Sequence, residues 1–364
     1  MSYHCKFTDG ILDVSDLQLE DLEAVRVLLS GASVIDWHHL DFHDYEGVDR
    51  FLCVNEFNPA DEEDVARLED IREQAVDYLT HNFEFDLPLE IAEELPARDL
   101  FLVASKSGPQ QTWACVILKV MHLIHHLAGR ELATRLSISH DKMYHAIELK
   151  VMKVVEELRA EGYPIVEFEW SRKTLDSMIS KLVAKRTTLA ASIYDKLRFR
   201  MIVRNRSDLL PVMAALHQRL IPFNYVIPGE SVNHLIPFDE LESNDSHSSE
   251  LGLLADIALE KEQVRSAELP VNEFSAPNYK IINFVADLPV RVESFGAEPH
   301  QKFGHVVFVL TEFQMADKQT SLDNELGDNN HTAYKLRQHD RVRKRLIRGR
   351  KSRTLKLRTI DRSE

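Results

Sequence analysis

The chain has 364 residues, of which 44% are hydrophobic and 28% charged, ordinary values for a globular protein with a large buried core. The net charge of −15 is uneven: residues 337–358 hold eleven Lys or Arg and one Asp, a net +10 that leaves −25 elsewhere, so the body is unsuited to broad nucleic-acid binding. The longest apolar stretch, residues 113–127, is broken by Lys119, His122, His125 and His126 and is too short to span a bilayer, so no membrane role is expected.

Residues 1 to about 138 read as a mainly helical N-terminal domain, with an apolar helix near 112–128 and a short extended piece at 100–104. The first six residues lack a secretory pattern, and Cys5, Cys53 and Cys115 lie too far apart to form a disulfide framework or metal-ligand spacing. A cytoplasmic protein is therefore expected. Met143, Ile147, Val151, Val154 and Leu158 recur at helical spacing, and Gly162 with Pro164 ends that helix. His140-Asp141 has the residue types of a metal pair but more simply starts this helix, behind Ser139. Residues 165–170 alternate as a strand, and a helix follows over about 175–185.

The next strand, 195–203, buries Leu197, Phe199, Met201 and Val203 and turns Arg198 and Arg200 to the other side. Ser207 is the expected N-cap of a helix that ends near Leu220. Residues 239–276, with ten acidic and two basic positions, read as an acidic insertion containing a helix near 249–265. Two strands, about 280–293 and 304–315, precede a closing helix. The fold class expected is α/β (α+β), a mixed sheet flanked by helices.

Polar residues gather where no core requires them. The strand Val306–Leu310 runs on to Glu312 and Gln314, and a polar stretch then presents Glu325, His331, Tyr334 and Lys335. Lys173, Ser177 and Lys181, at four-residue spacing, share one helix face and with the helix N-terminus make a donor-rich surface suited to a triphosphate. An ordinary exposed lysine face accounts for the same pattern.

The stretch from Glu312 to Lys335 resembles the closing signature of the RelA/SpoT-type alarmone synthetases, E-V-Q-I-R-T followed by A-E-x-G-x-A-A-H-W-x-Y-K, over 24 positions without a gap. Three further segments match in order: residues 173–182 resemble K-H-x-x-S-I-x-x-K-M, residues 195–201 resemble D-x-x-G-x-R-I, and residues 279–283 fall at Y-x-S-L-H. The resemblance spans about 140–340. It implies a nucleotidyltransferase-like synthetase domain over 139–336 and pyrophosphate transfer from ATP to a ribose 3′-hydroxyl. It further implies Asp195 and Glu312 as catalytic, Mg²⁺-binding carboxylates, and Arg172, Lys173, Ser177, Lys181 and Arg200 as ATP phosphate contacts. Tyr279, Gln314, His331 and Lys335 would meet the acceptor, and Glu325 would brace them. The acceptor stays open among a guanosine nucleotide, the family default, an adenosine nucleotide and a tRNA 3′ end, which the basic tail over 337–364 would serve as an RNA contact. The chain departs from the family at Ser171 and Arg198, in place of Arg and Gly, and at Asn283 and Ala316, in place of His and Arg. Those departures keep a second reading in view: a non-catalytic nucleotide- or RNA-binding protein on the same fold.

Overall fold

The computed structural model describes residues 17, 19–31, 33, 40–136, 138–184, 196–236, 279–326 and 331–347. Six helices come first: α1 (Leu19–Ser30), α2 (Tyr45–Val54), α3 (Glu62–Phe83), α4 (Asp99–Ser105), α5 (Gln111–Arg135) and α6 (His140–Glu161). Then β1 (Ile165–Arg172), α7 (Leu175–Ala184), β2 (Leu197–Val203), α8 (Leu209–Arg219) and β3 (Val232–Asn233) follow. The chain closes with β4 (Ile282–Arg291), β5 (Val306–Asp317), α9 (Lys318–Glu325) and α10 (His331–Leu346). No helix among the described residues is long and apolar enough to cross a membrane.

Local chemistry explains most boundaries. Asp61 caps α3 by accepting from the Glu63 and Asp64 amides, and Glu62, Glu63 and Asp64 place negative charge at its positive end. Ser139 caps α6, as its sequence suggests, and Gly162 ends it with a φ of 101° that favours glycine. Residues 100–104, expected to be extended, form α4 instead. Leu100, Phe101 and Ala104 bury one helical face there, a pattern that a short apolar run cannot distinguish from a strand. Ser207 does not cap α8: it lies in a 3₁₀ turn over Arg206–Asp208, closed by Asp208 accepting from the Asn205 amide at 2.8 Å. Cys53 is disulfide-bonded, against expectation, whereas Cys115 is a free thiol. The acidic insertion and the helix expected within it lie outside the described residues.

The sheet has the order β1-β2-β5-β4-β3, in which β2 and β5 run parallel and the other neighbours antiparallel. Phe168, Phe199, Phe313 and Phe284 stack across four strands on one face, with successive ring centroids 5.9, 5.7 and 5.3 Å apart. That face joins one continuous core with Ile147, Val151 and Leu158 of α6, Val212 and Leu216 of α8, and Leu22, Val25 and Leu28 of α1. Helices on the N-terminal side of residue 138 thus contribute to the core beneath the sheet. A second cluster lies among α2, α3, α4 and α5. At Gly129, α5 approaches β5 so closely that a Cβ would stand 2.5 Å from the Phe308 ring.

Packing divides the chain into two compact units. The larger comprises Met1–Arg172, Tyr194–Leu269 and Lys280–Ser321; the smaller comprises Lys173–Ile193, Pro270–Tyr279 and Leu322–Glu364. Within the smaller unit α7 packs against α10, where the Arg345 guanidinium donates to the Val183 carbonyl.

Candidate functional site

Strand parity builds the site. Because Leu197, Phe199 and Met201 are buried in the core, Arg198 and Arg200 project from the opposite face of β2. The parallel register sets Arg198 beside Glu312 and Arg200 beside Gln314, and the antiparallel register of β4 sets Asn283 beside Gln314. On the other flank, Ser171 stands opposite Arg198 and Glu169 opposite Arg200. The result is a partly open polar face above a core of stacked phenylalanines.

The side chains engage one another. Arg198 Nε donates to Glu312 Oε2 at 2.6 Å, in an environment where Glu312 is only 8% exposed. Gln314 Nε2 donates to Asn283 Oδ1 at 3.2 Å and reaches Glu312 Oε1 at a longer 3.4 Å. Arg200 Nη2 donates to the Ser321 hydroxyl at 3.0 Å. Ser321 is held in turn because Asp317 starts α9, accepting from the Thr320 amide at 3.0 Å and the Thr320 hydroxyl at 2.6 Å. Burial pushes the Asp317 carboxyl upward, but these hydrogen bonds outweigh it and hold it below its ordinary range. Further along the same face α5 covers the sheet, and the fully buried Asp287 is held by His126 Nε2 at 2.8 Å and Arg130 Nη2 at 3.1 Å.

Of the residues singled out from sequence, Glu312, Gln314 and Arg200 come together here. Arg172 does not join them. It falls on the opposite face of β1, paired in register with the buried Leu197, and its guanidinium forks onto Glu148 at 2.6 and 2.8 Å and meets Asp141 at 3.2 Å. Lys173, Ser177 and Lys181 belong to the smaller unit. Ser177 and Lys181 share a face of α7, but Lys173 precedes the helix, because Thr174 is the cap: its hydroxyl accepts from the Ser177 amide and its carbonyl from the Met178 amide. Tyr279 is half-buried just before β4. Glu325 ends α9, exposed, and Lys335 is exposed on α10. His331 is the first residue of α10, and Asp195 lies outside the described residues.

The sequence alone marks no site role for Arg198, Asn283, Asp317 or Ser321. The alternation of β2 signals the first; nothing in the sequence marks Ser321 as the partner of Arg200. For the Mg²⁺ implied by the family resemblance, Glu312 fits as one oxygen ligand, because among the described residues Oε1 has only the long contact with Gln314. Among the described residues no three His, Cys, Asp or Glu side chains stand together as a metal site.

No family model matches the chain, and no curated protein does. Solved structures do match. Small alarmone synthetase 1 from Bacillus subtilis is 14% identical, covering 56% of this chain and 86% of that one with a TM-score of 0.31. Its complex with its product pppGpp is 15% identical over 57% and 88% of the two chains, with a TM-score of 0.30. A GTP pyrophosphokinase family protein from Streptococcus pneumoniae is 14% identical over 56% and 84%, with a TM-score of 0.31. The chain is thus similar, over little more than half its length, to alarmone synthetases.

Proposed function

We propose that the chain transfers pyrophosphate from ATP to the 3′-hydroxyl of a ribose. The observation that supports this reading is the grouping of Glu312 with two arginines and an amide on one partly open sheet face, at the register of the motif that begins at Glu312. In the reaction the 3′ oxygen attacks the β-phosphorus of ATP, the α–β bridging bond breaks, AMP departs and the hydroxyl proton passes to Glu312. A carboxylate with one lightly engaged oxygen suits that proton transfer. Arg200 and Arg198 supply fork-shaped donors to phosphate oxygens. Gln314, oriented by Asn283, offers an amide to the acceptor. Mg²⁺ bound at Glu312 and Asp195 would neutralise charge on the triphosphate.

By the family resemblance, Lys173, Ser177 and Lys181 serve as phosphate contacts in this reading, Tyr279 stacks the acceptor base, and His331 and Lys335 meet the acceptor. The test is incubation of purified protein with γ-labelled ATP, Mg²⁺ and a panel of GDP, GTP, ADP and tRNA. Label should appear on one acceptor with stoichiometric AMP; ATP binding without transfer to any acceptor would overturn it. That outcome would favour a nucleotide-binding protein without activity, a reading supported by Arg198 sitting 2.6 Å from the carboxylate that must act as base.

A further inference from the structure

The larger unit contains a cavity of about 90 Å³ beneath α2 and α5, remote from the motif residues in sequence. Phe51, Phe101, Phe223 and Tyr225 supply aromatic wall, with Phe51 centred 5.4 Å from both Phe101 and Phe223. Among these rings stand a few polar groups whose orientations can be deduced. Asn55 Nδ2 donates to the Phe51 carbonyl at 2.8 Å. A carbonyl only accepts, so the Asn55 amide has one orientation and its Oδ1 accepts from Asn224 Nδ2 at 3.0 Å. Asn224 Nδ2 also lies 3.4 Å from His122 Nδ1. Asn224 Oδ1 is therefore an acceptor fixed in direction, and among the described residues neither it nor His125 Nε2 has a hydrogen-bond partner. Asn224 is 8% exposed and His125 7%, so both groups are withdrawn from bulk water. Buried polar groups left in this state destabilise a fold unless something pairs with them.

We propose that this cavity binds a small uncharged aromatic molecule, one ring in size, that donates a hydrogen bond from N–H or O–H to Asn224. The volume sets the size, since it has room for a single ring and not for a nucleotide. The wall sets the shape, because edge and face contacts favour a planar partner. The electrostatics set the charge. Burial holds the His122 imidazole down to about 3 and that of His125 well below its ordinary value, so at neutral pH neither offers a cation to an anionic ligand. Lys119 also lines the cavity but remains half-exposed.

Phenol, toluene and benzoate separate these requirements, being a donor, its near-isostere without a donor, and an anion. Calorimetric titration of the full chain at pH 7 should show phenol binding at least tenfold more tightly than toluene, with no binding of benzoate. Asn224→Leu should abolish the preference for phenol over toluene. Should that variant not fold, methyl NMR of the unaltered chain should show contacts from phenol to Leu68, Ile71 and Leu118. Absence of phenol binding, equal affinity for toluene, benzoate as tight as phenol, or contacts elsewhere would each overturn the proposal. Transfer activity plays no part in the readout, so failure here is distinct from failure of the proposed reaction.

Discussion

Replacing Arg198 by methionine tests whether the carboxylate of Glu312 is held by a real ion pair. The contact is short, at 2.6 Å, and its partners are unequally buried: the Glu312 side chain is 10% exposed and that of Arg198 35%. A hydrogen bond to a charged group contributes about 1.5–3 kcal/mol when desolvated. Exposed pairs contribute about 0–1 kcal/mol, so the partial exposure of Arg198 brings the expectation to about 1–2 kcal/mol. Methionine preserves much of the aliphatic stem and removes the donor. In a chain of this size the loss should lower the melting temperature by roughly 1–3 °C. Part of that loss would come from stranding a buried carboxylate, so the pair energy is better read from a double-mutant cycle with Glu312→Gln. Urea unfolding of the four proteins should give a coupling of about 1–2 kcal/mol. A coupling below about 0.3 kcal/mol, within the error of additivity, would show that the guanidinium does not hold Glu312 in solution.

Arg200→Ala should remove the bond to Ser321 and, if the proposed site is right, weaken ATP binding in calorimetry by about 1.5–3 kcal/mol, the worth of a charge-assisted contact; unchanged affinity would dismiss Arg200 as a phosphate contact. Asp317→Ala should cost about 0.5–2 kcal/mol by uncapping α9. Because the Asp317 carboxyl is held below its ordinary range in the fold, its contribution is present above that range and lost as pH falls through the folded value, so the variant should differ least from the parent in strong acid. The buried histidines act in the same direction by the opposite chemistry: the unfolded chain protonates them below about 6.5 and the folded chain does not until far lower. His122 should remove about 2 kcal/mol between pH 7 and 5, and His122→Gln should visibly flatten the urea midpoint against pH; an unaltered profile would mean that His122 is not buried neutral.

How much the sequence revealed depended on period. The α6 stripe from Met143 to Leu158 and the β2 alternation from Leu197 to Val203 each match one template and no other, and both elements lie where the pattern puts them. The same alternation disclosed which face Arg198 and Arg200 would occupy. Residues 100–104 carried no period long enough to choose between helix and strand, and burial against neighbouring helices decided for α4. Lys173 shows the limit of spacing alone: its interval to Ser177 is helical, yet the hydroxyl of Thr174 competes for the first free amides and starts the helix two residues too late to include it. Ser321 was invisible because its role depends on where β5 ends and α9 begins, a junction set by Asp317. β3 has only two residues and no pattern to read.

The polar face has one property that bears on any substrate it takes. Arg198 is engaged by Glu312, Arg200 by Ser321, and Gln314 by Asn283, so each long side chain already has a partner. A triphosphate held by the two arginines must therefore exchange with existing bonds, and its net gain is what phosphate offers beyond a carboxylate and a hydroxyl. The exchange at Arg200 is favourable, because a neutral hydroxyl gives way to a charged oxygen. At Arg198 it is close to balanced, since one anion replaces another and Glu312 is released into a buried setting. That release is what a proton-accepting Glu312 requires, so under the proposed reaction nucleotide binding and activation of the base are one event. Arg198→Gly, the residue of the resembled family, would uncouple them by leaving Glu312 unpaired from the outset. Weaker nucleotide binding together with transfer at least as fast at saturating ATP would be the signature of that coupling. Faster transfer in no condition, with ATP affinity unchanged, would mean that Arg198 neither restrains Glu312 nor meets the phosphates.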